Sequence, residues 1–129
     1  MRKVILALDA GGTSIKAGIL RGEEIIAERS FAFLSEEREQ MLSVFRQALV
    51  WGRDYGPVCL GVACPGPFDF ARGVSHMRHK WRGLMDVPLP SVFARELPGV
   101  PVRFLHDSTA FLLGEAWQGA ARDMENPAG

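Results

Sequence analysis

The chain has 129 residues, 47% hydrophobic and 23% charged, which suits one globular domain large enough to bury a sizeable core. Its 15 Lys and Arg balance 15 Asp and Glu, so no basic face is implied and nucleic-acid binding by bulk charge is disfavoured. Two cysteines, Cys59 and Cys64, are too few for a disulfide framework, and the apolar run Val4–Leu8 is too short for a signal core or membrane span. Reduced thiols and a cytoplasmic location are expected.

Val4–Leu8 reads as a strand buried on both faces. Asp9-Ala10-Gly11-Gly12-Thr13 breaks it with a glycine pair, a strong turn signal. Ser14–Leu20 resumes as a strand, Arg21-Gly22-Glu23 turns again, and Ile25–Phe33 is a third strand. Such short links make the three antiparallel neighbours, because parallel strands need long crossovers. Ser35 is expected to cap a helix whose first turn holds Glu36 and Glu37. Met41, Phe45, Ala48, Leu49 and Gly52 form its apolar stripe, and Gly56-Pro57 ends it.

Val58–Ala63 is another buried strand, closed by Pro65-Gly66-Pro67. Residues 69–89 read as irregular, Ser91–Leu97 as a short helix, Val102–Leu105 as the last strand and Ser108–Ala121 as the last helix. A hairpin meander followed by helical crossovers gives an α/β fold: a mixed five-stranded sheet with helices on both faces. Residues 1–121 form one domain, and 122–129 are a polar tail or the start of a connection.

Two segments offer chemistry. The turn Asp9–Thr13 has a plain reading as a hairpin, since Asp and Gly suit turns on backbone grounds. It also has a functional one: amides around a glycine pair can converge on a phosphate, helped by the Thr13 hydroxyl and Lys16. Asp9 would repel that phosphate unless a cation lay between them, and Mg²⁺ prefers one or two carboxylates with phosphate oxygens. Asp107 follows a strand and opens a helix; it serves as an N-cap, as a carboxylate facing a crevice at the strand ends, or as both. Pro65-Gly66 is a strand-ending turn or a small-residue wall that lets a ligand approach the backbone. His76 and His79 lack the spacing of a metal site and read as loop residues.

The run Leu6-Ala7-Leu8-Asp9-Ala10-Gly11-Gly12-Thr13-Ser14-Ile15-Lys16-Ala17-Gly18-Ile19 resembles the first phosphate loop of the ROK sugar kinases, within the actin-like ATPase superfamily. Leu60 to Asp69, Trp81 to Leu89 and Pro101 to Ala110 followed by Gly114-Glu115 are similar, in order and spacing, to that family's proline-glycine strand end, sugar loop and catalytic segment. The resemblance implies a ribonuclease H-like lobe of a kinase that moves the γ-phosphate of ATP to a sugar hydroxyl. It implies Asp107 as the catalytic base, with Pro65, Gly66, His106 and Asp107 on the sugar. Asp9, Gly11, Gly12, Thr13 and Lys16 would hold ATP and its Mg²⁺, the metal meeting Asp9 through phosphate or water.

Two positions depart from the family pattern. His106 stands where an Asn usually precedes the catalytic Asp, and His79-Lys80 where the sugar loop tends to carry one. Histidine offers its donor and acceptor in another geometry, which puts the usual hexose specificity in question. The family's second lobe, with its second phosphate loop, adenosine pocket and His/Cys zinc site, has no counterpart here. The chain therefore reads as an amino-terminal lobe, a fragment or a truncated paralogue, inactive alone. Expected partners are ATP, a small-molecule sugar, the carboxy-terminal lobe and a second copy in a homo-oligomer, not nucleic acid or membrane. A sugar-responsive transcriptional regulator and a non-catalytic sugar-binding module are the alternatives.

Overall fold

A computed structural model describes residues 3–22, 24–64, 68–69, 71–76 and 82–106. Strands β1 (Val4–Ala10), β2 (Ser14–Arg21) and β3 (Glu24–Ala32) form an antiparallel meander. Helix α1 (Arg38–Arg53) then crosses over to β4 (Cys59–Cys64), which pairs parallel with β1. Strand β7 (Val102–His106) adds parallel to β4, giving the five-stranded order β3-β2-β1-β4-β7. The mixed sheet expected from the sequence is present. Arg21 pairs with Glu24 across the second hairpin, and Gly22 turns the chain with a φ of 64°, which a side chain would resist.

Period-two alternation sorts the sheet's side chains between two faces. Leu6 and Leu8 of β1, Ile15, Ala17 and Ile19 of β2, and Leu60 and Val62 of β4 join one large cluster. The stripe Met41, Val44, Phe45, Ala48 and Leu49 of α1 packs into it, along with Leu89 and Phe93 of α2 (Leu89–Glu96). Ile5, Ala7, Leu20, Cys59 and Ala63 form the cluster on the opposite face. Both described helices pack on the first face; the helix expected over Ser108–Ala121 lies outside the described residues. None of the described helices is long and apolar enough to cross a membrane.

Three local expectations are corrected. Ser35 does not cap α1: the N-cap is Glu37, with no side-chain cap bond, and the Ser35 hydroxyl accepts from the Glu37 amide at 3.2 Å. Gln40 reaches back instead, its Oε1 accepting from the amides of Leu34 and Ser35 at 3.0 and 3.3 Å. A side chain inside the first turn thus satisfies the incoming chain. The stretch read as irregular contains strands β5 (Phe68–Asp69) and β6 (Val74–Ser75) and a 3₁₀ turn at Arg82–Leu84. Asp69 Oδ1 accepts from the amides of Ala71 and Arg72, so this carboxylate holds its own turn. Helix α2 starts two residues early, at Leu89, because Pro90 lies in the first turn, where a proline forfeits no bond.

The 3₁₀ turn is pinned on the start of α1. Arg38 Nε donates to the Gly83 carbonyl at 3.0 Å, and a Cβ at Gly83 would fall 2.2 Å from the Glu36 carbonyl oxygen. At Gly52 an added Cβ would meet only the Leu6 side chain, at 2.5 Å. Backbone cannot swing aside as a leucine tip can. Gly83→Ala is therefore expected to destabilise more than Gly52→Ala, the latter by about 1–3 kcal/mol as for an overpacked core. Denaturant midpoints of the two variants check this; the reverse order would contradict the packing.

Candidate functional site

The carboxyl ends of the parallel strands β1, β4 and β7 share one edge of the sheet, where ligand crevices of α/β folds open. Asp9, next to last in β1, is half-buried and alternates with Ile5 and Ala7, on the face away from α1. Lys16 of β2 is directly opposite it in the antiparallel ladder, and Ala63 of β4 is level with it on the other side. Lys16 is in turn opposite Ser30 of β3. One ladder row therefore reads Ser30, Lys16, Asp9, Ala63, a cation and a carboxylate side by side next to a methyl group. Directly opposed Cβ atoms lie about 4.5–5.5 Å apart, within reach of a charge pair.

The turn after β1 is closed by the Gly11 amide donating to the Ser14 carbonyl at 2.8 Å. That donor is thus engaged in the fold and is not among the amides free to converge on a phosphate. Gly12 and Thr13 are exposed, and their amides have no backbone acceptor among the described residues. The Thr13 carbonyl accepts from the Phe33 amide at 2.9 Å, which ties the turn to the end of β3. Gly11 and Gly12 are absent from the positive-φ residues, and a Cβ on Gly11 would make only an ordinary 3.6 Å contact with the Ser14 carbonyl. Backbone geometry does not demand glycine at position 11; close approach by something outside the chain would.

Cys64 ends β4, in register with His106 at the end of β7. Burial, and secondarily the Asp9 carboxylate, push its thiol far above the usual cysteine range. That proximity arises from parallel register and is not readable from spacing along the chain. Pro65, Gly66 and Asp107 directly follow β4 and β7 in sequence and lie outside the described residues, as does the His106 side chain. His79 also lies outside them. His76 is exposed, its Nδ1 3.4 Å from Asp86 Oδ1, apart from the row containing Asp9. The structure thus brings Asp9, Gly12, Thr13 and Lys16 together at one hairpin.

No protein-family model matches the chain. It is 28% identical over 123 residues to a beta-glucoside kinase of Listeria innocua, covering 95% of this chain and 41% of that protein. The ROK hexokinase of Thermus thermophilus superposes with a TM-score of 0.66 at 27% identity, over 80% of this chain and 35% of that one. The ROK glucokinase of Streptomyces griseus, solved with glucose and AMPPNP, gives 0.70 at 25% identity, over 91% and 37%. The chain spans about two fifths of the length of the curated relatives it matches.

The Cys64 environment has measurable consequences. A pKa raised by folding means the native state holds its proton longer than the unfolded chain, so this contribution is intact below the unfolded cysteine pKa of about 8.5 and is lost as pH rises beyond it. Cys59 and Cys64 are both buried. At pH 8 a water-soluble disulfide reagent should label neither thiol until the chain opens. Labelling at the rate of a free thiol in the folded chain would contradict this.

Proposed function

The chain is a relative of the ROK-family sugar kinases, and from that premise we propose that it is the amino-terminal lobe of an enzyme transferring the γ-phosphate of ATP to a sugar hydroxyl. The observation that carries the reading is the hairpin at the end of β1: a half-buried carboxylate beside a cation, next to a turn with two amides that have no backbone acceptor among the described residues and a glycine that the backbone does not require. Such a turn suits phosphate oxygens. A carboxylate set just behind it suits a phosphate-bound divalent cation.

Magnesium-bound ATP, when present, supplies the phosphoryl group and much of the charge neutralisation that its transfer requires. Asp9 would hold the cation directly or through water. The amides of Gly12 and Thr13, the Thr13 hydroxyl and the Lys16 ammonium would orient the phosphate chain. Asp107 would accept the proton of the attacking hydroxyl, while Pro65, Gly66 and His106 would line the sugar. The adenosine pocket and a zinc site, if the parent has one, would belong to a second lobe; the relatives' greater length leaves room for it. Glucose and β-glucosides are the first substrates to try, from the names of the relatives. An ATP-fuelled reaction would place the parent in the cytoplasm.

The test uses the full-length parent. Asp107→Asn should lower kcat by about 10²- to 10⁴-fold, the usual contribution of a positioned base, with sugar affinity nearly kept. Asp9→Ala should raise the Mg²⁺-ATP concentration needed for half-maximal rate and leave sugar binding in place. Near-normal turnover in the Asp107→Asn enzyme would remove the base from the reading, and loss of sugar affinity in the Asp9→Ala enzyme would move Asp9 to another pocket.

A further inference from the structure

Helix α1 carries a second stripe besides its core one. Ser43, Arg46, Gln47, Val50, Trp51 and Asp54 recur at helical spacing and overhang the edge strand β3. Between helix and strand lies a groove of about 520 Å³, which Arg29 and Phe31 of β3 complete. It is on the α1 face of the sheet, since Arg29 and Phe31 pair with Ala17 and Ile15 of the core, whereas Asp9 is on the other face. The groove is therefore distinct from the hairpin site.

Its lining is chemically divided. Phe31 and Trp51 meet edge-to-face with centroids 6.3 Å apart; Phe31 is buried, and the half-buried Trp51 offers the aromatic floor. The Arg29 guanidinium lies 5.2 Å above the Phe31 ring and is held there by stacking, with no ion-pair partner among the described residues. Arg46 is half-buried and likewise has no ion-pair partner among the described residues. Two guanidinium forks in one groove, neither ion-paired among the described residues, are matched to an oxyanion that accepts paired hydrogen bonds. Gln47, bonded to the Ser43 hydroxyl at 3.3 Å, and Asp54 add polar groups. Asp54 follows Arg46 by eight residues, about 12 Å along a helix rising 1.5 Å per residue, so the acidic and basic ends are apart. Asp54 can accept hydrogen bonds only from a ligand's hydroxyl end. An aromatic floor beneath an apolar ring face, hydroxyl acceptors at one end and an anion clamp at the other describe one class of small molecule.

We propose that the groove between β3 and α1 binds a sugar phosphate, with its phosphate on Arg29 and Arg46 and its ring against Trp51. The volume is that of a small-molecule site, within the roughly 300–1,000 Å³ usual for such pockets. The inference stands on the groove alone; the kinase reading enters only in suggesting that the ligand is the parent's own product, sensed away from the site that makes it.

Titration calorimetry on the 129-residue chain tests it, with glucose 6-phosphate as the probe and glucose and inorganic phosphate as references. Glucose 6-phosphate should bind more tightly than either reference. Arg46→Ala should weaken it at least about tenfold, as for loss of a charge-assisted bond. Arg46→Lys, which keeps the charge without the fork, should recover part of the loss. Asp9→Ala should leave the affinity unchanged, which separates this site from the hairpin. Matching melting temperatures would show that the variants are folded. The proposal is overturned if glucose 6-phosphate does not bind, if Asp9→Ala and not Arg46→Ala abolishes binding, or if inorganic phosphate binds as well. A glutamate-rich peptide binding more tightly than the sugar phosphate would also overturn it, in favour of an acidic protein partner.

Discussion

Everything in this fold is referred to β1, the strand where pairing changes from antiparallel to parallel. Its two neighbours impose different obligations: β2 returns through a three-residue turn, whereas β4 is reached only after α1 has crossed the sheet. A strand so enclosed must be apolar on both faces, and Leu6, Ala7 and Leu8 are fully buried. Polarity can return only at its end, and Asp9 is where it does. The carboxylate is fixed in place because Ile5, Leu6, Ala7 and Leu8 before it are each locked into two ladders.

The helical layer is held to this sheet by a chain of rings. Phe33 meets Phe45 at 6.0 Å, Phe45 meets Phe93 at 5.6 Å, and Phe93 stacks on Phe104 at 5.9 Å. The series runs from the end of β3 through α1 and α2 to β7, so it spans the face from the meander to the last parallel strand. Each such pair adds about 0.5–1.5 kcal/mol beyond the area it buries. Phe33 also donates its amide to Thr13, and the aromatic layer is thereby connected to the hairpin turn. Packing and the proposed phosphate turn are one mechanical unit.

The strong elements were legible in the sequence because their signals are local. Strands β1, β2 and β4 are runs of apolar residues ended by Gly or Pro, and α1 announces itself through Met41, Phe45, Ala48 and Leu49. The two-residue strands β5 and β6 carry no readable period, and the Ser35 cap failed because the helix starts later, behind Glu37, leaving the Ser35 hydroxyl to accept from the Glu37 amide before the first turn. At the candidate site, Asp9, Gly12, Thr13 and Lys16 were readable because a hairpin makes sequence neighbours spatial neighbours. The influence of Asp9 on Cys64 and the second stripe of α1 were not, since both depend on which strand lies beside which. The engaged amide of Gly11 required the geometry of the turn itself.

Strand β3 is nine residues long, forms one border of the sheet and leaves Ile25 54% exposed and Ile26 37% exposed. Such a border invites another copy to add its own strand. Two copies related by a two-fold axis through the sheet can align antiparallel only when paired residues share a face, so the axis must pass through a residue. Through Glu28 it opposes two carboxylates; through Arg29, two guanidiniums; through Ala27, each charge faces an isoleucine of the other copy. Each central alignment is electrostatically poor. The adjacent Glu28-Arg29 pair thus acts as a parity check on the open border, disfavouring each central alignment of two β3 strands.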